Sequence, residues 1–117
     1  MADLIAARNA GSQEAVGRLL RPGARYWDCL RGDVEGRDRV APLLTDPLAG
    51  QAPVTLVVET LAAEDGRAVV ELRASATGPS GPVGFTTTEV YAIEEDGIAW
   101  CRVYLDPAEL PGGARES

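Results

Sequence analysis

Beyond Pro53 the chain alternates apolar and polar residues with a period of two, the signature of strands that bury one face. The alternation predicts strands over residues 54–62, 68–77, 83–93 and 98–105. Asp65-Gly66 and Asp96-Gly97 read as tight hairpin turns, and Gly78-Pro79-Ser80-Gly81-Pro82 as a longer loop. Before Pro53 the apolar spacing is helical instead. Residues 2–9 form a first short helix that stops at Asn9-Ala10-Gly11. Ser12 then caps a second helix, which carries Val16, Leu19 and Leu20 on one face and ends at Arg21-Pro22-Gly23. Residues 25–30 read as a short aromatic strand, Gly32-Asp33 as a turn, and residues 36–44 as a third helix that Pro42 should kink or delay. The Pro, Gly and Asp residues between Asp46 and Pro53 read as a connector. Helices first and a strand meander afterwards predict an α+β fold, an antiparallel sheet with its helices on one face. One domain over residues 1–110 follows, with residues 111–117 as a flexible tail.

Alternation also sorts the faces. Val70, Leu72 and Ala74 should face the core and Glu71, Arg73 and Ser75 the solvent. In the last strand Ala99, Cys101, Val103 and Leu105 oppose Trp100, Arg102 and Tyr104. The second set reads either as a contact surface or as ordinary cross-strand pairs on a solvated sheet. The strand before it is open: Thr87, Glu89, Tyr91 and Ile93 lie inside, or Thr88, Val90 and Ala92 do. With Glu89 inside, desolvation favours its neutral form, which can donate a hydrogen bond to a developing oxyanion. Asp28 follows Trp27 and shares its side of the strand with Tyr26. An aspartate beside an aromatic wall suits proton abstraction next to a carbonyl, since partial desolvation raises its basicity; the alternative is a turn aspartate or an ion pair with Arg25 or Arg31. Cys101, facing inward with no cation beside it, reads as packing.

Composition narrows the chemistry. The 117 residues carry a net charge of −7 and contain neither histidine nor lysine, so imidazole and Schiff-base chemistry are excluded and no metal site is expected. Catalysis would run on carboxylates, tyrosine, cysteine or arginine. Acidity and scattered arginines argue against nucleic-acid binding. Two distant cysteines read as reduced thiols, and the acidic start and the lack of a long apolar run read as a cytoplasmic protein without a membrane span.

The order of elements resembles the nuclear transport factor 2-like fold and, within it, the SnoaL-like and ketosteroid isomerase-like proteins. The resemblance rests on Asn9-Ala10-Gly11 before an acidic amphipathic helix, residues 24–28, Val34-Glu35-Gly36-Arg37-Asp38, Glu89-Val90-Tyr91 leading to Asp96-Gly97, and Arg102-Val103-Tyr104-Leu105-Asp106-Pro107. It implies a cone-shaped curved sheet wrapped around the N-terminal helices, a deep pocket for a small apolar ligand, and homodimers through the outer sheet face bearing Trp100, Arg102 and Tyr104. Ketosteroid isomerases pair a carboxylate base with an oxyanion hole made by a protonated acid and a tyrosine. Matching the motifs puts Asp28 at the base and Glu89 at the second acid, where the family has aspartate. Leu4 falls where the family has the tyrosine, and Val103 where SnoaL-type cyclases carry an inward aspartate. Tyr26, Trp27, Leu4, Leu72, Thr87, Tyr91, Cys101 and Val103 would then wall the substrate site. Epoxide hydrolases of this fold bridge two carboxylates with an arginine, and no inward arginine is evident from the sequence. The implied function is a cofactor-free acid–base isomerase or cyclase acting on a small apolar carbonyl compound, polyketide- or steroid-like, the alternative being a non-catalytic ligand-binding or dimerisation module.

Overall fold

The computed structural model describes residues 1–48, 53–78 and 81–110. Three helices lead in: α1 (Ala2–Asn9), α2 (Gln13–Leu19) and, after two strands, α3 (Arg37–Thr45). Six strands form one sheet: β1 (Leu20–Asp28), β2 (Gly32–Glu35), β3 (Thr55–Glu64), β4 (Arg67–Gly78), β5 (Gly81–Glu94) and β6 (Gly97–Leu105), in the order β2-β1-β6-β5-β4-β3. A short 3-10 turn, Pro107–Glu109, follows, capped by the Asp106 side chain.

Local chemistry sets the helix boundaries. Gly11, at φ 65°, ends α1 with the Ser12 amide donating to the Ala7 carbonyl at 3.1 Å, and Ser12 Oγ then accepts from the Ala15 amide to start α2. Asn9 ties α1 to the sheet: its side-chain amide donates to the Leu56 carbonyl and accepts from the Leu56 amide on edge strand β3. Helix α3 starts at Arg37 and runs through Pro42 to Thr45, so Pro42 neither delays nor ends it. The carbonyl that Pro42 cannot serve belongs to Asp38, in the exposed first turn, where water can take it.

Two features depart from the expected antiparallel meander. Residues 32–35 are a strand rather than a turn, pairing antiparallel with β1, and β1 itself begins at Leu20, directly from α2. Strand β1 also pairs in parallel with β6, in the register Tyr26 to Cys101 and Asp28 to Val103, so the sheet is mixed. The four later strands match their expected positions within a few residues. The loop residues 79–80, the connector residues 49–52 and the tail 111–117 lie outside the described residues.

The helices cover the inner face. Val16, Val40 and Leu44 pack on Ala24, Val70, Leu72, Ala74, Ile98 and Cys101 in one core. At the tip of the β5–β6 hairpin, Gly97 (φ 131°) approaches the α2–β1 junction so closely that a Cβ there would lie 2.9 Å from the Leu19 carbonyl. That contact seats the first turn of β6 against the start of β1.

Candidate functional site

Helix α1 turns Leu4, Ile5, Ala7 and Arg8 inward. Arg8 is a cation inside an apolar stripe, 5% exposed. Its Nε donates to the Leu44 carbonyl at 3.0 Å, and its Nη1 donates to Glu89 Oε1 at 2.6 Å and to the Tyr91 hydroxyl at 3.1 Å. Glu89 lies on the inner face of β5 between Thr87 and Tyr91, fully buried, which settles the ambiguity of that strand. The run ends at a bulge after Ala92, leaving Ile93 exposed. Tyr91 donates its hydroxyl proton to Oε1, and Thr87 Oγ1 donates to Oε2 at 3.0 Å. Glu89 therefore meets three donors from its own chain, the pattern of an acceptor-only carboxylate.

Arg8 was not found from the sequence, although it stands one turn after Leu4 on the same apolar face. A charged residue within that stripe is the signal that marks it. Burial alone pulls a guanidinium down, but the Glu89 charge, followed by Tyr91, outweighs it and holds Arg8 above the ordinary arginine value. Burial, reinforced by Glu89, pushes the Tyr91 hydroxyl and the Cys101 thiol up, so both stay protonated.

A second cluster surrounds Asp28 at the end of β1. Its Oδ1 accepts from the Leu30 and Arg31 amides at 2.8 and 2.6 Å, and its Oδ2 from Arg31 Nη1 at 2.7 Å and the Tyr26 hydroxyl at 2.5 Å. Desolvation works to raise this carboxyl, yet the donors, Tyr26 first and then the Arg31 backbone and side chain, overcome it and hold Asp28 below the usual aspartate range. The raised basicity anticipated from a desolvated aspartate is thus reversed by its hydrogen bonds. Asp28 is both a turn aspartate and the ion-pair partner of Arg31, which also reaches the Pro47 carbonyl at 3.2 Å.

Between the clusters lies a cavity of about 30 Å³. Arg8, Tyr26, Arg31, Thr87 and Glu89 are its polar lining; Leu44, Leu56, Phe85, Val103 and Leu105 make the walls, with Leu30, Leu43, Pro47 and Leu110 also lining it. A water needs about 10–15 Å³ of such volume, so the space holds about two waters, far below the roughly 300 Å³ of a typical ligand pocket. Of the expected wall, Tyr26, Thr87 and Val103 line the cavity, and Tyr91 stands behind Glu89. Leu4, Leu72 and Cys101 are core residues that do not reach it. Trp27 is on the outer face, because alternation along β1 sends it opposite to Tyr26 and Asp28. It pairs there with Tyr104, ring centroids 5.3 Å apart. On the same face Arg67 and Arg102 lie 4.7 and 4.8 Å from the Trp100 ring centre, beside an open groove of about 220 Å³ lined by Arg25, Trp27, Asp33, Trp100 and Arg102. Among the described residues no cluster of three or more His, Cys, Asp or Glu side chains could hold a metal ion, and no helix is long and apolar enough to cross a membrane.

Residues 1–103 match the sequence pattern of the SnoaL-like domain. The chain belongs to that family. Solved structures share the fold of this SnoaL-like chain. A hypothetical protein with a ketosteroid isomerase-like fold from Catenulispora acidiphila, in complex with trimethylamine, superposes with a TM-score of 0.81 at 13% identity, covering 97% of this chain and 89% of that one. An LEH-like epoxide hydrolase from M. tuberculosis gives 0.76 at 18% identity, covering 92% and 80%. A de novo designed protein with a curved β-sheet gives 0.74 at 18%, covering 92% and 82%. No curated protein matches by sequence. Identities this low speak for the SnoaL-like fold alone.

Proposed function

We propose that this SnoaL-like chain binds a small, largely apolar molecule in its cone, without a cofactor. The carrying observation is the cavity itself: an apolar wall closed at one end by a polar floor in which Arg8, Thr87 and Glu89 are already joined to one another. Such a floor orients a ligand by one polar group while the apolar wall takes its body. Because the closed cavity has room for about two waters, binding displaces side chains, with Leu30, Leu105 and Leu110 the ones to move. A titration of methyl-labelled protein with cyclohexanone tests this. Shifts confined to Leu44, Leu56, Val103 and Leu105 support it; shifts at outer-face Val69 and none inside refute it.

A second reading is acid–base catalysis on the bound molecule, an isomerisation, a cyclisation or the activation of a water. Arg8 favours it, since it is the inward arginine that was not evident from the sequence, and it pairs with one carboxylate, Glu89, beside a water-sized space. Glu89 is then the group that moves the proton, with Tyr91 and Thr87 fixing its oxygens. Asp28, held in its charged form by four donors, serves to orient Tyr26. Glu89→Gln keeps the shape and removes the proton acceptor, so turnover that survives in this variant refutes the second reading.

The outer face is proposed as the contact with a second copy. Trp27, Trp100, Arg102 and Tyr104 are of the residue types enriched at interface centres, and Tyr104 is 44% exposed in the single chain.

A further inference from the structure

The Arg8 guanidinium is only partly used by the protein. Nε and Nη1 donate to Leu44, Glu89 and Tyr91, whereas no acceptor among the described residues takes a bond from Nη2. Among those residues no buried side-chain nitrogen or oxygen lacks a partner, so Nη2 is not sealed in the core but reaches the open space that Arg8 lines. The rest of the floor offers acceptors. Thr87 and Tyr26 have each spent their one hydroxyl proton on a carboxylate, and Glu89 has none to give. Arg31, which lines the cavity too, spends Nη1 on Asp28 and Nη2 on the Pro47 carbonyl, so Arg8 Nη2 is the terminal guanidinium nitrogen left to meet a guest.

Its charge is already answered by Glu89 at 2.6 Å. The buried pair is neutral as a unit, and a guest carrying a full negative charge would bring it beside a carboxylate with no second cation to meet it. Arg31 offers none, since its charge is paired with Asp28. A neutral oxygen asks for nothing more than the spare N–H groups, and a guest that displaces the water there without an acceptor leaves that donor unfilled, at a cost.

We propose that Arg8 Nη2 is the group that recognises the ligand, by donating to a neutral acceptor-only oxygen such as a ketone, ester or amide carbonyl, and that this selects uncharged carbonyl compounds over carboxylates and hydrocarbons of equal shape. The proposal rests on the reading that the cone binds a small molecule. It gives the oxygen-binding role to α1 through Arg8, one turn beyond Leu4, where no hydroxyl is available.

The test uses three matched probes on the intact protein: cyclohexanone, methylenecyclohexane and cyclohexanecarboxylate. A hydrogen bond from a charged donor corresponds to about tenfold or more in affinity, so cyclohexanone should bind at least about tenfold tighter than methylenecyclohexane, with the carboxylate weaker than the ketone. In the wild-type protein the Arg8 side-chain N–H resonances should shift with cyclohexanone and stay in place with methylenecyclohexane, a readout independent of any substitution. Arg8→Lys, which keeps the charge but lacks the planar fork, should level the ketone and hydrocarbon affinities. Equal binding of both probes by the wild-type protein, with cavity methyl shifts, overturns the role of Arg8 and leaves the binding reading standing. Tightest binding of the carboxylate overturns the preference for a neutral oxygen. No response at the cavity methyls to any probe overturns both.

Discussion

Replacing Arg8 with methionine removes the cation but keeps much of the apolar volume, and it isolates what the buried pair contributes. Glu89 is then left with Tyr91 and Thr87 as donors, fully buried, and the Leu44 carbonyl loses its partner. Breaking a buried ion pair by removing one member costs about 3–5 kcal/mol, and the lost backbone bond adds about 1 kcal/mol. A domain of this size has about 5–15 kcal/mol in total, so the variant should fold but lie close to the edge. With a urea dependence of about 1–3 kcal/mol per molar, the unfolding midpoint should fall by about 2 M. Arg8→Met combined with Glu89→Gln should recover at least about half of the loss, since the uncompensated charge is gone. A single-variant cost below about 1 kcal/mol, the range of exposed pairs, would falsify the reasoning, as would a double variant no better than the single one.

Other outcomes follow from the same structure. Asp28→Asn should lower stability at neutral pH by about 1–3 kcal/mol and flatten the acid limb of the unfolding profile. The sign follows from the lowered Asp28 carboxyl, whose stabilisation is present above the unfolded value and is lost as pH falls through the folded one; an unchanged acid limb would count against it. Replacing Trp100 and Tyr104 together with serine should shift sedimentation from dimer towards monomer, and a wild-type protein that already sediments as a monomer removes the proposed interface. Gly97→Ala should destabilise by about 1–3 kcal/mol in thermal unfolding, because φ 131° disfavours a side chain and the new Cβ meets the Leu19 carbonyl; a neutral effect would show that the hairpin shifts freely. Asn9→Ala should cost about 1 kcal/mol and speed hydrogen exchange at the Leu56 amide, with the β4 amides unaffected.

What could be read from the chain divides along the range of the signals. Period-two alternation is local, and it located β3 to β6 and the inward set Val70, Leu72, Ala74, Cys101 and Val103. It also held the position of Trp27: a strand that turns Tyr26 and Asp28 inward must turn Trp27 outward, so its placement in the site contradicted the pattern itself. Glu89 stayed ambiguous because both candidate faces of β5 mix threonine with apolar residues, and the choice is made by α1, far away in sequence. Strand β2 has four residues, Gly32–Glu35, too few and too polar for a periodicity; its pairing with β1 makes it a strand. Arg8 was overlooked because a lone arginine at the end of a short helix reads as solvated or as a helix-dipole partner. Its burial depends on Glu89, 81 residues later. Non-local pairings of that kind decide the polar floor, whereas local patterns decide the scaffold.

The parallel pairing of β1 with β6 has a consequence for how the protein comes into being. Strand β1 is made early and cannot close the sheet until residues 97–105 have left the ribosome, so the helices and the β1–β2 hairpin wait with their apolar faces uncovered. Strands β3 to β5 pair neighbour with neighbour and can assemble meanwhile. Closure then comes in one late step, which joins the two ends of the chain, seats Gly97 under Leu19 and brings Val103 and Leu105 to the cavity wall. A chain stopped before β6 therefore opens two further strand edges, β1 and β5, beside the permanent edges β2 and β3, and is exposed there to aggregation and to proteolysis.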